Sequence, residues 1–239
     1  MIALAVALAA ATVGLPALIL IPEDANPAKV AATRALGAEV IQEGITFANR
    51  EQRLREVMAE RGYTLVHPFD DWDVIHGQGT VVRELLDDEP DLQAVATPVG
   101  GGGLLAGSAI SAKSHGRPVK VIGVEPAAAD DAYRTWKSGR IEVLPSSPKT
   151  LADGVRTTAI GARNFEVMFA NRLVDEIVTV TEEEIATAVR IAWSRVHLAL
   201  EPTGALPLAA YLAGKLPKGR TGLVLSGGNA NFATVATLL

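Results

Sequence analysis

The sequence predicts an α/β protein built on parallel sheets, and three observations carry that expectation. Short apolar runs, "ALILIP", "AEVIQ", "YTLVHP", "LQAVATPV", "VKVIGVEP" and "TGLVLSGG", read as strands, and helix-length segments separate most of them. Alternation of this kind makes βαβ crossovers, with helices on both faces of each sheet. Two of the runs end in glycine clusters, "GGGG" and "SGG", and strand ends in a parallel sheet converge on one edge. Finally, 239 residues that are 49% hydrophobic and 21% charged can bury a sizeable core, as one large or two small domains.

The chain opens "MIALAVALAAATVGLPALILIPEDA", with no charged side chain before Glu23. An export or membrane segment would want a basic start and an unbroken apolar centre, whereas no Lys or Arg precedes this run and Gly14 and Pro16 interrupt it. The stretch therefore divides into an Ala-rich helix to about Thr12, a turn at Gly14–Pro16 and a buried strand Ala17–Ile21. Helices are expected over 27–36 and 46–61. The rhythm breaks at "HPFDDWDVIH", residues 67–76, which is the best domain seam. A second irregular stretch, "LPSSPKTLADG", is too long for a simple turn and is expected to lie over a site.

Composition excludes several functions. A net charge of -5 argues against nucleic-acid and anionic-membrane partners. The chain has no cysteine, so disulfides, thiolate metal sites and cysteine nucleophiles are excluded together. His67, His76, His115 and His197 show no metal-ligand spacing.

The most informative motif is "TPVGGGGLLAG", residues 97–107. A strand feeding four glycines and then an apolar helix is a recipe for holding a phosphate, because bare N–H groups converge where the positive end of the helix dipole points. Two other readings compete. One is a flexible turn. The other is a dinucleotide fingerprint, Gly101-x-Gly103-x-x-Ala106, with Glu125 as the ribose-binding acid. Against it, Pro98 sits where such a fingerprint would continue the strand. The second glycine cluster, "LVLSGGNAN", places Ser226 where it can face the same pocket as residues 100–103.

The blocks "ATPVGGGGLLAG", "VIGVEPAAADDAY", "TLADGVRT", "DEIVTVTEEEI", "LEPTGA" and "VLSGGNAN", in this order, cover essentially the whole chain. Together they resemble the serine/threonine dehydratase and serine racemase family of pyridoxal-phosphate enzymes, whose fold is type II (tryptophan synthase β-like). The resemblance implies two parallel-sheet α/β domains, a small one over 1–69 and a large cofactor-binding one over 70–239. It implies that Gly100, Gly101, Gly102 and Gly103 cradle the cofactor phosphate, that Ser226 hydrogen-bonds the pyridine nitrogen, and that Glu201 lies near the cofactor. Alone, Ser226 reads better as a strand-end serine capping the following turn, and Glu201 equally as a helix-end residue. Glu125, the Ala129 carbonyl and Asp131 match the magnesium or calcium site of the racemase-like members, the alternative being a solvated acidic turn.

The implied chemistry is β-elimination from L-threonine or L-serine to a 2-oxo acid and ammonia, in a cytoplasmic homodimer with a small amino-acid substrate. Alternatives are an amino-acid racemase, a non-catalytic remnant and, as a minor reading, a nicotinamide-dependent enzyme. In the family, the loop that grips the substrate carboxylate and the lysine that anchors the cofactor both precede the helix "IALAVALAAA". The sequence therefore reads as a relative without its first strands and without the catalytic lysine. Lys29, Lys113, Lys120, Lys137, Lys149, Lys215 and Lys218 all lie in polar contexts, and none is nominated to replace it.

Overall fold

The computed structural model describes residues 2–25, 27–46, 49–230 and 232–238. The chain divides into two compact units, Met1–Pro68 and Phe69–Leu239.

The first unit runs α1 (Ile2–Val13), β1 (Leu18–Leu20), α2 (Pro27–Ala35), β2 (Glu39–Ile41) and α3 (Arg50–Arg61). β1 and β2 pair in parallel, Leu18 opposite Glu39 and Leu20 opposite Ile41. Gly14, at φ 69°, turns the chain out of α1, and Gly62, at φ 69°, ends α3 with its N–H on the Met58 carbonyl. Arg61 donates to both carboxylate oxygens of Glu39, 2.8 and 2.9 Å away, which ties the end of α3 to β2. The apolar helix α1 buries only Ala7, while Leu8 and Val13 stay exposed. No described helix is long and apolar enough to cross a membrane.

The expected strand "YTLVHP" does not form. Residues 63–67 carry no assigned secondary structure, and Leu65 and Val66 are exposed. A β-favouring composition makes a strand only where a neighbour takes up its backbone groups, and the sheet of this unit contains only β1 and β2 among the described residues.

The second unit continues with α4 (Trp72–Asp88), β3 (Ala94–Pro98), α5 (Gly103–Ser114), β4 (Lys120–Pro126), α6 (Asp131–Ser138) and α7 (Ala162–Phe165). It closes with β5 (Glu176–Val180), α8 (Glu182–Ile191), α9 (Leu206–Leu212), β6 (Thr221–Leu223) and α10 (Phe232–Ala236). The seam expected at 67–76 is therefore partly helical. Asp71 caps α4, its carboxylate accepting from the amides of Asp73 and Val74 at 2.9 and 3.2 Å.

The four strands pair in the order β5-β4-β3-β6, all in parallel. Side chains alternate across the sheet. Val95, Val99 and Val121 join a core with Ile75, Val82 and Leu105, while Ala94, Ala96, Ile122 and Val124 join one with Ile185, Val189 and Leu206. Helices α4 and α5 thus cover one face of the sheet, and α8 and α9 the other. Every strand consequently points its C-terminal end at the same edge.

Two glycines let α4 and α5 touch backbone to backbone. A Cβ on Gly107 would lie 2.1 Å from the Ile75 carbonyl oxygen and 2.6 Å from the Gly79 nitrogen. Ser111 Oγ donates to the Gly79 carbonyl at 2.7 Å across the same contact. Gly77, two residues before Gly79 in α4, has nothing within 4 Å of its would-be Cβ. Gly107→Ala is therefore expected to destabilise the protein by about 2 kcal/mol or more through overpacking. Gly77→Ala should stabilise it by about 0.5–1 kcal/mol through helix propensity. Urea denaturation of the two variants checks the opposite signs.

Candidate functional site

At the C-terminal edge of the sheet, β3 runs into Gly100–Gly103, β4 into 127–131 and β6 into the turn carrying Ser226. Beyond the paired residues, Val224 still donates to the Ala96 carbonyl at 2.9 Å, so the half-buried Ser226 emerges beside the end of β3. The topology brings together the two glycine clusters singled out from the sequence.

The loop 100–103 is held in a way that turns its carbonyls inward. The Gly101 carbonyl accepts from the Gly161 amide at 3.0 Å and from Asn164 Nδ2 at 2.7 Å. The Gly102 carbonyl accepts from the Ala106 amide at 2.8 Å, opening α5. No described peptide is cis. In a trans peptide the next N–H points opposite to the carbonyl, so the amides of Gly102 and Gly103 face away from these partners. Gly102, at φ 99°, occupies the N-cap position of α5 with no side-chain cap, and the first amides of a helix have no intrahelical acceptor.

Neighbouring atoms fill the space where side chains would go. A Cβ on Gly101 would lie 2.3–2.4 Å from Phe69 ring carbons, and one on Gly102 would lie 2.9 Å from Asn164 Cβ. One on Gly100 would lie 3.1 Å from Val155 Cα, and one on Gly103 3.0 Å from the Phe69 carbonyl oxygen. These contacts hold the loop in place, which weighs against the flexible-turn reading.

The irregular stretch identified in the sequence ends against this loop through Val155. The Gly154 amide donates to Thr203 Oγ1 at 2.9 Å, and the Glu201 amide to the Gly227 carbonyl at 2.9 Å. Glu201 is 2% exposed, and a Cβ on Gly227 would lie 2.4 Å from Glu201 Oε1. Glu201 thus packs against the turn that carries Ser226. Phe69, Val155, Asn164 and Thr203 were not among the sequence candidates. Phe69, Val155 and Thr203 lie inside the stretches "HPFDDWDVIH", "TLADGVRT" and "LEPTGA" without being singled out, and Asn164 lies in none of the quoted stretches.

Glu125 and Asp131 are each 1% exposed. Glu125 Oε2 accepts from the Ala132 amide at 3.2 Å and Oε1 from the Tyr133 amide at 2.6 Å, so it caps α6 from the strand. Asp131 Oδ2 is buried without a hydrogen-bond partner. Burial, then the Asp131 charge, push the Glu125 carboxyl well above its ordinary range, against the two amides that favour ionisation. Burial raises Asp131 to about 7. The solvated-turn reading does not survive, since neither side chain is solvated. The dinucleotide reading fails as well, because a ribose-binding acid must be open to ligand and Glu125 is enclosed. Among the described residues, no group of three His, Cys, Asp or Glu gathers for a metal. The candidate cation site consists of two carboxylates and a carbonyl.

The lysines of this unit are occupied elsewhere or lie on its surface. Lys113 bonds to the Val119 carbonyl and Asp175, and Lys215 to the Thr179 carbonyl and Glu184. Lys137 lies over the Tyr133 and Trp136 rings, and Lys120, Lys149 and Lys218 are exposed.

The second unit is thus a parallel α/β unit whose strand ends carry closely packed glycines with amides turned away from the supporting residues. The chain belongs to the family of pyridoxal-phosphate dependent enzymes, which it matches over residues 2–227. It is 41% identical over 237 residues to L-threo-3-hydroxyaspartate ammonia-lyase of Saccharomyces cerevisiae, covering 98% of this chain and 72% of that protein. A threonine deaminase from T.th. superposes with a TM-score of 0.91 at 48% identity, over 96% of this chain and 75% of that one. Maize serine racemase superposes with a TM-score of 0.91 at 35% identity, over 98% and 72%. The expected type II fold is thereby established.

The buried acid pair sets an expected pH dependence. Both folded-state values are raised above the unfolded ones, so the folded protein holds more protons, and this contribution to stability is lost as pH rises, the Asp131 part of it from about 4 through about 7. In EDTA, Asp131→Asn is expected to flatten that decline, as read from urea midpoints at pH 5, 6, 7 and 8. An unchanged slope would mean that the pair ionises freely.

Proposed function

We propose that the second unit seats the phosphate of pyridoxal phosphate on the amides of Gly100–Gly103 at the positive end of α5, with Ser226 and Glu201 toward the ring. The observation that carries this reading is the inward turn of the Gly101 and Gly102 carbonyls, which leaves amides of adjacent residues directed at one place. When bound, the cofactor supplies an electron sink for bond cleavage at the amino acid's Cα and Cβ. The Ser226 hydroxyl is neutral and, unlike a carboxylate, does not stabilise a proton on a ring nitrogen. That suits elimination of a β-hydroxyl, and the reaction class is deamination of a hydroxy amino acid, L-threonine or L-serine, to ammonia and a 2-oxo acid.

A base must take the Cα proton and a lysine must hold the cofactor. The placements of Lys113, Lys137 and Lys215 support the view that no lysine of the second unit does either. As an isolated chain, the protein is expected to bind the cofactor without turning it over. Borohydride reduction in the presence of pyridoxal phosphate, followed by peptide mapping, should label exposed lysines only in part. One lysine labelled to a full equivalent, together with 2-oxo acid release from L-threonine, would overturn the non-catalytic element of this reading.

The cation site is the second element. Glu125, the Ala129 carbonyl and Asp131 offer hard oxygen donors, and the unpartnered Asp131 Oδ2 supports a missing positive charge. The same acid pair favours the racemase-like branch as the alternative activity. Millimolar magnesium or calcium is expected to raise the melting temperature by mass action. Glu125→Gln should remove the increase, whereas an increase that survives would place the cation elsewhere.

A further inference from the structure

Asn164 is fully buried, and both hydrogens of its amide are used. Nδ2 donates to the Phe69 carbonyl at 3.0 Å and to the Gly101 carbonyl at 2.7 Å. Its orientation is dictated chemically, since both neighbours are acceptors and a flipped amide would set oxygen against oxygen. Oδ1 is buried with no hydrogen-bond partner, a cost that a residue kept only for packing would not carry. The side chain also lies against Gly102, where a Cβ would meet Asn164 Cβ at 2.9 Å and Met168 Cε at 3.0 Å.

We infer that Asn164 is the positioning residue of the glycine loop. By holding the Gly101 carbonyl from beneath, it fixes the plane of the Gly101–Gly102 peptide and so aims the Gly102 amide at the anion. The Gly161 amide supports the same carbonyl at 3.0 Å, but it is part of the backbone and leaves rotation about that single bond open. The second donor removes that freedom. The link to Phe69, whose ring covers Gly101, closes the frame from the other side. Asn164 touches neither substrate nor cofactor and acts through the loop alone. This inference rests on the reading of residues 100–103 as a phosphate seat.

The test compares pyridoxine 5'-phosphate with pyridoxine, which lack the aldehyde and so do not react with surface lysines. Equilibrium dialysis and the phosphorus NMR shift of the bound phosphate are the readouts. The unaltered chain is expected to prefer the phosphorylated ligand. Asn164→Leu, which keeps the volume and removes the donors, should weaken that ligand by about tenfold and move the phosphorus shift, leaving pyridoxine affinity unchanged. Equal weakening of both ligands, or of neither, would overturn the role of Asn164 while leaving the seat in place. Absence of a phosphate preference in the unaltered chain would overturn the seat itself and this inference with it. Should Asn164→Leu not melt cooperatively, nitrogen-15 spectra of the unaltered chain decide. Inorganic phosphate is expected to shift the Gly102 amide while the Asn164 amide protons remain protected from exchange, and rapid exchange of those protons would overturn the inference.

Discussion

The arrangement of the second unit depends on a steric constraint, the absence of Cβ atoms along residues 100–103. Phe69, Val155 and Asn164 occupy the volume that side chains would take, so the loop is clamped from below and its backbone is the only thing left to present. Ordering consecutive glycines costs more conformational entropy than ordering any other residues. That cost is met by packing and by the paired donors on the Gly101 carbonyl, which are well placed to hold one geometry. The contrast with α8 is instructive. Its first amides are consumed by Thr181 and Glu184 in a reciprocal capping box, whereas α5 starts on a bare glycine.

The acid pair illustrates the opposite device, in which side chains rather than backbone carry the charge. Glu125 is pinned by the first amides of α6, so its position is set by the formation of a helix that follows it in the chain. Asp131 lies in that same helix, and Arg134, whose charge favours its ionisation, is engaged by Asp130 at 2.8 Å. Two carboxyls out of water with no cation between them stay protonated near neutrality or destabilise the fold. A bound divalent cation would let both ionise.

Much of this was legible in the sequence, for physical reasons that particular residues make plain. The strands β3 and β4 are buried on both faces, so their runs are apolar throughout and stood out; β5 did not, since "DEIVTV" carries polar residues at the sheet margin. The run "YTLVHP" has strand composition but, among the described residues, no ladder to join, which local reading does not detect. Glycine clusters and the acid spacing were visible because their chemistry is written in adjacent residues. Asn164, Phe69, Val155 and Thr203 come from four separate segments and acquire meaning only when the fold assembles them. Long-range contacts of that kind leave no periodicity.

One such assembly links the two glycine clusters. Gly100 packs on Val155; Gly154 donates to Thr203 Oγ1; Thr203 lies two residues from Glu201; and Glu201 packs on Gly227, next to Ser226. Each contact is made by a glycine or by a side chain seated against one, with would-be Cβ distances between 2.4 and 3.1 Å. Such contacts leave little room for adjustment, because interiors are close-packed and transmit strain. The loop after β3 and the turn after β6 are therefore joined by a continuous packed path as well as by strand pairing. Under the proposed phosphate seat, a ligand spanning them would meet a frame whose two ends are set relative to one another before it arrives, the condition under which weak backbone contacts can hold a charged group in a fixed place.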